Sequence, residues 1–247
     1  MSNIIALAQT DSTNNVLKRM ALDGALPGTV VTADCQTAGK GRLGRSFVSP
    51  AGKGIYLSYL MRPDTDTELI STITCWAAVA VCNAIESVCD IAPSIKWVND
   101  IQINGMKVCG ILTEMANDAV IIGIGINVND SPEDLPEEIR STASSICNEI
   151  NAPEEISRED LTNALIKELD KIRLCFPSSH NEYLEAYRKL CSTVGLDVSA
   201  VSAHNHTSEI PRLGKAIAVN DDFSLKVLFE DGHEEDLKSG EVSVRRR

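Results

Sequence analysis

The chain has 247 residues, of which 43% are hydrophobic and 23% are charged, and its formal net charge is -12 at pH 7. These proportions are ordinary for a globular protein and exclude a disordered polymer, a fibrous repeat and a collagen-like chain. The acidic balance argues against broad, sequence-independent nucleic-acid binding, because such binding depends on neutralising phosphates. The length fits one large domain, or one domain with a small module.

No unbroken apolar stretch approaches the roughly 20 residues that a membrane-spanning helix needs, and residues 1–8 lack the basic start of a secretory signal. The eight cysteines form neither a Cys-x-x-Cys pair nor a zinc-ligand spacing with histidine. Cys75, Cys82 and Cys89 repeat within an apolar helical pattern, which predicts buried, unpaired thiols. We therefore predict a cytoplasmic protein without a membrane partner.

The first part of the chain mixes strand and helix patterns. A short helix is predicted just after residues 11–13, with Asp11 and Ser12 as candidate N-caps, and a β-branched strand is predicted at residues 29–33. Residues 55–61 predict a half-buried strand, and residues 68–88 predict a long, mostly apolar helix.

An Asn-Gly pair at residues 104–105 lies between two short β-like runs. This is the strongest short-range signal for a hairpin, because a type I′ turn needs positive φ at both positions. Alternation along the second strand predicts that Lys107 shares a face with Cys109 and Ile111. Residues 120–128 are nearly all apolar and predict a strand covered on both faces.

The pattern changes near the C-terminus. An apolar stripe over residues 161–176 predicts a helix, and a second helix extends to about Gly195. Short β-like runs follow at residues 198–202, 215–219 and 225–229, separated by turn residues. We predict an α+β chain in which residues 1–194 form the larger domain and residues 195–247 form a small β-barrel module.

The loop at residues 39–45, GKGRLGR, places three glycines and three cations within seven positions of an acidic chain. Glycines let the backbone approach a ligand closely and present N–H groups. Lys40, Arg42 and Arg45 supply charges that suit phosphate and carboxylate oxygens. The pattern predicts a loop that closes over an anion, although a merely exposed flexible loop has the same composition, and the ending of a P-loop is absent.

Three other segments carry chemical groups at or beside predicted strands: KWVND at residues 96–100, Lys107 beyond the turn, and GIGINVN at residues 123–129. Each has a simpler explanation. Lys107 fits a solvated hairpin lysine, because lysine is mostly exposed. Gly123 and Gly125 also fit a requirement for close packing.

Together these segments resemble the biotin protein ligase family, over nearly the whole chain. The matching elements, in the family's order, are DSTN at 11–14, QTAG at 36–39, the 39–45 loop, KWVND at 96–100, KVCGIL at 107–112, GIGINVN at 123–129 and SGEVS at 239–243. The resemblance implies a catalytic domain at residues 1–194 with the class II synthetase-like fold, a mixed central sheet flanked by helices, and an SH3-like C-terminal barrel.

It also implies a two-step reaction. Biotin and MgATP give biotinyl-5′-adenylate and pyrophosphate, and the adenylate then acylates a lysine on a biotin carboxyl carrier domain of a biotin-dependent carboxylase. The biotin carboxylate and the α-phosphate are both anions, so cations at the reacting centre offset their repulsion. By the resemblance, Lys107 lies between them, Arg42 contacts both, and Asp100 orients or deprotonates the incoming lysine.

The resemblance gives binding roles to further residues. Ser12, Thr13 and Gln36 hydrogen-bond the ureido ring, and Phe47 stands where some members stack a tryptophan on adenine. Lys40 stands where many members have arginine, so a forked contact becomes a point charge. The implied biotin-binding residues are Ser12, Thr13, Gln36, Gly39, Lys40, Arg42, Lys107, Gly110 and Gly123, and the implied nucleotide-binding residues are Arg42, Arg45, Phe47, Lys107, Ile126 and Asn127.

Alternatives stay open. A lipoate- or octanoate-transferring enzyme of the same fold also uses a lysine, although the cationic loop favours biotin. A non-catalytic regulator would keep the fold and hold biotin without turning it over. Only ten residues precede Asp11, too few for the DNA-binding module of some families, so we predict no DNA partner and no repressor function. A second copy of the chain is a candidate partner, giving a homodimer, and the ligands of Mg²⁺ are left unassigned.

Overall fold

The structure, a computed structural model, describes residues 2–202, 211–238 and 242–246. It contains a seven-stranded sheet and a five-stranded sheet, which confirms the predicted α+β fold class with a second, smaller β structure. Residues 239–241 of the SGEVS motif lie outside the described residues.

The seven-stranded sheet forms the centre of the first part of the chain. Its strands are β1 (Asn3–Thr10), β2 (Thr29–Gln36), β3 (Ile55–Met61), β4 (Ser94–Lys96), β5 (Asp100–Ile103), β6 (Met106–Ala116) and β7 (Ala119–Ile126). Their order is β1-β2-β3-β7-β6-β5-β4. β1 runs parallel to β2 and the other neighbours are antiparallel, so the sheet is mixed as predicted.

Helices cover both faces of this sheet. They are α1 (Thr13–Leu22), α2 (Thr67–Ser71), α3 (Ile73–Cys89), α4 (Ile146–Glu149), α5 (Arg158–Cys175) and α6 (His180–Leu190). On one face, Leu17 of α1 packs against Leu60 and Ile121. On the other, α3 and α5 contribute to the main core. The prediction that β3 is half-buried is therefore wrong, because helices cover it on both sides and all its residues are buried.

The long apolar helix predicted at residues 68–88 is divided into α2 and α3. The backbone N–H and the hydroxyl of Thr72 both donate to the Leu69 carbonyl, 3.0 and 2.7 Å away, and this tighter i−3 bond interrupts the α-helix. The span Thr67–Cys89 is long and apolar enough to cross a membrane by length and composition, contrary to the sequence-based expectation. However, 72% of its most apolar stretch of 18 residues is buried inside the fold.

Two local predictions are confirmed. The hairpin turn lies at residues 104–105, where φ is 52° and 83°. Cys75, Cys82, Cys89 and the other five cysteines all lie in the described residues and are free; Cys75 and Cys82 are buried as predicted, whereas Cys89 is only half-buried. Burial raises the pKa of the Cys75 and Cys82 thiols, which keeps them protonated at neutral pH.

The five-stranded sheet is antiparallel. Its strands are β8 (Asp197–Ser202), β9 (Arg212–Val219), β10 (Leu225–Phe229), β11 (Glu234–Leu237) and β12 (Val242–Arg246), and they are ordered β11-β10-β9-β8-β12. Sequence analysis identified the first three and missed the last two. The division into domains at residues 194 and 195 stays a prediction.

The turn between β9 and β10 of the small sheet packs beside the segment that joins β4 to β5. The Trp97 indole N–H donates to the Phe223 carbonyl at 2.9 Å, and the Trp97 backbone N–H donates to Thr193 Oγ1 at 2.8 Å. The Tyr187 ring meets the Phe223 ring edge-on at 5.4 Å, and its hydroxyl donates to the Val98 carbonyl at 3.1 Å. These contacts tie the module to the segment that precedes β5.

Candidate functional site

A cavity opens between the N-terminus of α1, the end of β2, the 39–47 loop and the strands β6 and β7. Most of the predicted site residues line it. The lining residues are Ser12, Thr13, Asn14, Gln36, Lys40, Gly41, Arg42, Phe47, Asn99, Lys107, Gly110, Ile111, Leu112, Gly123, Ile124 and Gly125.

One end of the cavity is neutral and polar. Ser12 and Thr13 stand at the start of α1, where backbone N–H groups lack helical partners. The Thr13 N–H and hydroxyl both donate to Gln36 Oε1, at 2.9 and 3.2 Å, and Gln36 Nε2 donates to Ser49 Oγ at 2.9 Å. This end can therefore fix a small polar ring by hydrogen bonds.

A buried amide continues this polar end. Asn14 donates through Nδ2 to Glu114 Oε2 at 2.8 Å, and its Oδ1 accepts from the Ser58 hydroxyl at 2.5 Å. Glu114 also forms an ion pair with Lys18, with 2.5 Å between Nζ and Oε1. Burial would raise the pKa of Glu114, but the Lys18 and Asn14 hydrogen bonds outweigh it and hold that pKa below its ordinary value.

The other end of the cavity is cationic. Lys107 Nζ lies 2.6 Å from Asp100 Oδ1, and a third of the lysine side chain (33%) is exposed. Arg42 Nη1 donates to Asn99 Oδ1 at 2.8 Å. Burial lowers the pKa of the Arg42 guanidinium, and the charge of Asp100 opposes that effect, so the guanidinium stays charged at neutral pH.

A β-bulge at Val108 turns Lys107 into this cavity. Consecutive residues of β5 pair with Cys109 and Lys107 of β6, so Val108 is the extra residue. The prediction that Lys107 shares a face with Cys109 and Ile111 is therefore wrong. Those two belong to the main core, whereas the Lys107 amine lies only 3.2 Å from where a Cβ on Gly110 would stand.

Glycines on β7 form the floor. A Cβ on Gly123 would come within 2.2 Å of Asn14 Oδ1, and a Cβ on Gly125 would come within 2.6 Å of the Phe47 ring. Phe47 also meets the Tyr56 ring edge-on at 6.4 Å. Because glycine has no side chain, Gly123 leaves room for the Asn14 amide and Gly125 leaves room for the Phe47 ring.

The glycine-rich loop closes on itself. The Phe47 N–H donates to the Gly39 carbonyl at 2.9 Å, and the Gly41 N–H donates to the Arg45 carbonyl at 2.7 Å. Gly39 does not line the cavity, and a Cβ there would lie 2.3 Å from the Phe47 carbonyl oxygen. This closure leaves Arg42 at the cavity, while Arg45 is exposed outside it.

Other predicted residues are not brought to the cavity wall. Ile126 is buried in the main core, and Asn127 is buried with its Nδ2 donating to the Ser144 carbonyl at 3.0 Å. Asp100 reaches the cavity only through its ion pair with Lys107. Nucleotide contacts by Ile126 and Asn127 stay predictions.

Sequence reasoning also missed lining residues. Asn14 and Asn99 belong to the DSTN and KWVND segments, so membership of those segments was a usable signal. Leu112 and Ile124 resemble ordinary core residues in the sequence. Glu114 gave no signal, because its contact with Asn14 joins residues 100 positions apart.

Comparisons with known proteins agree with this geometry. The sequence profile of the biotin/lipoate A/B protein ligase family matches residues 6–129. The bifunctional ligase/repressor BirA of Bacillus subtilis (strain 168) is 41% identical over 178 residues, which are 70% of this chain and 52% of that protein, so the chain spans about half of that relative. The biotin–acetyl-CoA-carboxylase ligase of Mycobacterium tuberculosis is 32% identical over 194 residues, 76% of this chain and 71% of that protein. A solved biotin protein ligase from Aquifex aeolicus, in complex with biotin and ATP, has 30% sequence identity and a TM-score of 0.86 over 100% of both chains.

Proposed function

Because the chain belongs to the biotin/lipoate A/B protein ligase family, we propose that it activates biotin with ATP and transfers it to a lysine of a biotin carboxyl carrier domain. The carrier belongs to a biotin-dependent carboxylase. One observation carries the proposal: a single cavity joins a polar end, at Ser12, Thr13 and Gln36, to a cationic end, at Lys107 and Arg42. Biotin has the same polarity, with a cyclic urea at one end and a carboxylate at the other.

In the first step, a biotin carboxylate oxygen attacks the α-phosphorus of ATP and pyrophosphate leaves. Two anions must come into contact, and charge moves onto the pyrophosphate. Lys107 and Arg42 offset that repulsion from fixed positions, which lowers the barrier without a reorganisation cost during the reaction. Asp100 keeps the Lys107 ammonium in place across 2.6 Å.

The nucleotide lies on the β7 side of the cationic end. Phe47 presents an aromatic face beside Gly125, and adenine stacks on such a face. Arg45, Ile126 and Asn127 complete the proposed nucleotide set. Mg²⁺ enters as MgATP, mainly on phosphate oxygens, as this ion prefers.

In the second step, the neutral amine of the carrier lysine attacks the acyl carbonyl of the adenylate, an amide forms and AMP leaves. Asp100 orients that amine or takes its proton. The mixed anhydride hydrolyses in water, so the 39–47 loop must exclude water while the adenylate waits. We expect this loop to become ordered over the ligand.

The polar end favours biotin over lipoate. A dithiolane ring offers no N–H or C=O group to Thr13, Gln36 or Asn14, so it lacks the hydrogen bonds that a cyclic urea makes there, each worth about 0.5–1.5 kcal/mol. A cytoplasmic location, the lack of DNA and membrane partners, the lack of repressor function and a homodimer stay predictions.

The test incubates the protein with biotin, MgATP and a purified carrier domain, and measures pyrophosphate release and the mass of the carrier. We expect one biotin on one carrier lysine. Transfer of lipoate but not biotin would reject the assignment. Biotin binding without pyrophosphate release would favour the non-catalytic regulator.

A further inference from the structure

A chain of hydrogen bonds runs from the polar end of the cavity to the protein surface. It begins at the Ser58 hydroxyl, which donates to Asn14 Oδ1, passes through Asn14 Nδ2 to Glu114, and ends at the Lys18 ammonium. Ser58 and Asn14 are almost fully buried, with 0% and 3% exposed. Glu114 lies behind the cavity wall, so the reaction derived above gives it no part.

The ionised carboxylate makes the shorter of two contacts that set which way the amide points, 2.8 Å from Asn14 Nδ2, and the Leu112 carbonyl lies 3.4 Å from the same nitrogen. A carboxylate only accepts hydrogen bonds, so the NH₂ group of Asn14 must face Glu114. The Lys18 and Asn14 contacts hold the pKa of Glu114 below its ordinary value despite burial, which keeps the carboxylate ionised at neutral pH. The Asn14 carbonyl oxygen must therefore point the other way.

That oxygen points toward the cavity floor. The atom nearest to a hypothetical Cβ on Gly123 is Asn14 Oδ1, at 2.2 Å, and both residues line the cavity. One lone pair of this oxygen accepts from Ser58, and a carbonyl oxygen has a second. The wall at this position thus presents an acceptor.

We propose that Glu114 is a positioning residue that fixes the Asn14 amide with its acceptor toward the ligand, and so selects a ring that carries N–H donors. The inference rests on the proposed function and adds a determinant of substrate class. A cyclic urea supplies such donors. A dithiolane ring supplies none and would leave the acceptor unpaired, which disfavours its binding.

Replacing Glu114 by glutamine tests this. A glutamine can present either NH₂ or C=O to Asn14, so only the longer contact with the Leu112 carbonyl, at 3.4 Å, still favours one orientation of the amide. For E114Q we expect the KM for biotin to rise roughly tenfold, as for a lost hydrogen bond to a charged group. The KM for ATP and the kcat at saturating biotin should stay within about twofold, and the preference for biotin over lipoate should fall by a similar factor. A merely structural role would not separate the two substrates.

Two further variants keep the test decisive. Lys18→Met keeps a long side chain but removes the charge that holds Glu114, and we expect a smaller rise in the KM for biotin. Glu86→Gln removes the same charge from the exposed surface of α3, and should leave both KM values unchanged. Thermal unfolding of each variant identifies any that fail to fold.

The inference is overturned if folded E114Q and K18M both use biotin with wild-type KM. The proposed function would stand in that case, because wild-type protein would still release pyrophosphate with biotin. If the wild type releases none, the proposed function fails. Calorimetric binding of biotin to wild type and E114Q then tests Glu114 separately: weaker binding by E114Q supports it, and equal binding rejects it.

Discussion

Adding one methyl group to β7 should weaken biotin binding at one position and nucleotide binding at the other. The two positions are Gly123 and Gly125, which line the same cavity two residues apart on one strand. In Gly123→Ala the new methyl meets the Asn14 amide, and in Gly125→Ala it meets the Phe47 ring. Each variant is therefore the control for the other, since the chemical change and the strand are identical.

The distances set the size of the effect. The new Cβ would lie 2.2 Å from Asn14 Oδ1 or 2.6 Å from a Phe47 ring carbon, and both separations are far shorter than the usual distance of about 3.5–4.0 Å between carbon atoms in contact. Overpacking of this kind costs about 1–3 kcal/mol, which corresponds to roughly 5- to 150-fold in binding. Asn14 is hydrogen-bonded on both sides and has the least freedom to move.

The assay measures pyrophosphate release while one substrate is varied and the other is saturating. Gly123→Ala should raise the KM for biotin within that range and leave the KM for ATP near its wild-type value. Gly125→Ala should do the opposite. Equal effects of both variants on both substrates would refute the division of the cavity into two ends, and wild-type kinetics in both would refute the close contacts themselves.

The other predictions concern catalysis, retention of the intermediate, and stability. Lys107→Ala should slow adenylate formation by on the order of 100- to 1,000-fold while calorimetry still detects biotin binding. Arg42→Ala should release biotinyl-adenylate into solution, measured by chromatography of the filtrate. Phe223→Ala removes a buried ring, 3% exposed, from the turn between β9 and β10, and should lower the free energy of unfolding in urea by about 3–5 kcal/mol. Leu228→Ala in β10, 39% exposed, should change it by about 0.5 kcal/mol or less. The pKa of Asp170 is lowered: burial would raise it, but hydrogen bonds and a nearby arginine outweigh burial. Its stabilising contribution is thus present above the ordinary aspartate pKa and lost as the pH falls through the lower folded value, so Asp170→Asn should flatten the fall in unfolding free energy between neutral and acidic pH.

Each of these has a contrary outcome. Normal turnover by the Lys107 variant would remove that lysine from the reaction. Adenylate leakage equal to that of wild type would show that Arg42 does not retain the intermediate. Equal stabilities of the Phe223 and Leu228 variants would contradict the docking of the small sheet, and an unchanged pH profile for the Asp170 variant would contradict its ionised role.

Local sequence signals predicted local structure well. The hairpin at residues 104–105 was predictable because positive φ at two successive positions is a property of those two residues alone. The direction of Lys107 was not predictable, since the bulge at Val108 appears only when β5 and β6 pair. The half-buried prediction for β3 failed for a similar reason: α1 and α5, which cover it, lie elsewhere in the chain.

The candidate site shows the same limit. The cationic loop and the DSTN segment were visible because several chemically distinctive residues stand together in sequence. The contact of Glu114 with Asn14 could not be predicted from the sequence, because only the fold brings these two residues together. Asn127 sits in a segment that resembles the family, yet its side chain bonds to Ser144 in the interior, which no reading of that segment alone would reveal.

The hydrogen bond from the Trp97 indole to the Phe223 carbonyl has a practical consequence for reporter design. Dividing the gene after residue 194 would yield a larger fragment in which the Trp97 indole N–H lacks this acceptor. The smaller fragment would carry the Phe223 carbonyl without its donor, beside the Phe223 ring. Each fragment would expose an aromatic surface to water, and the two surfaces are complementary. Fused to interacting proteins, two such fragments are expected to reassemble through this hydrogen bond.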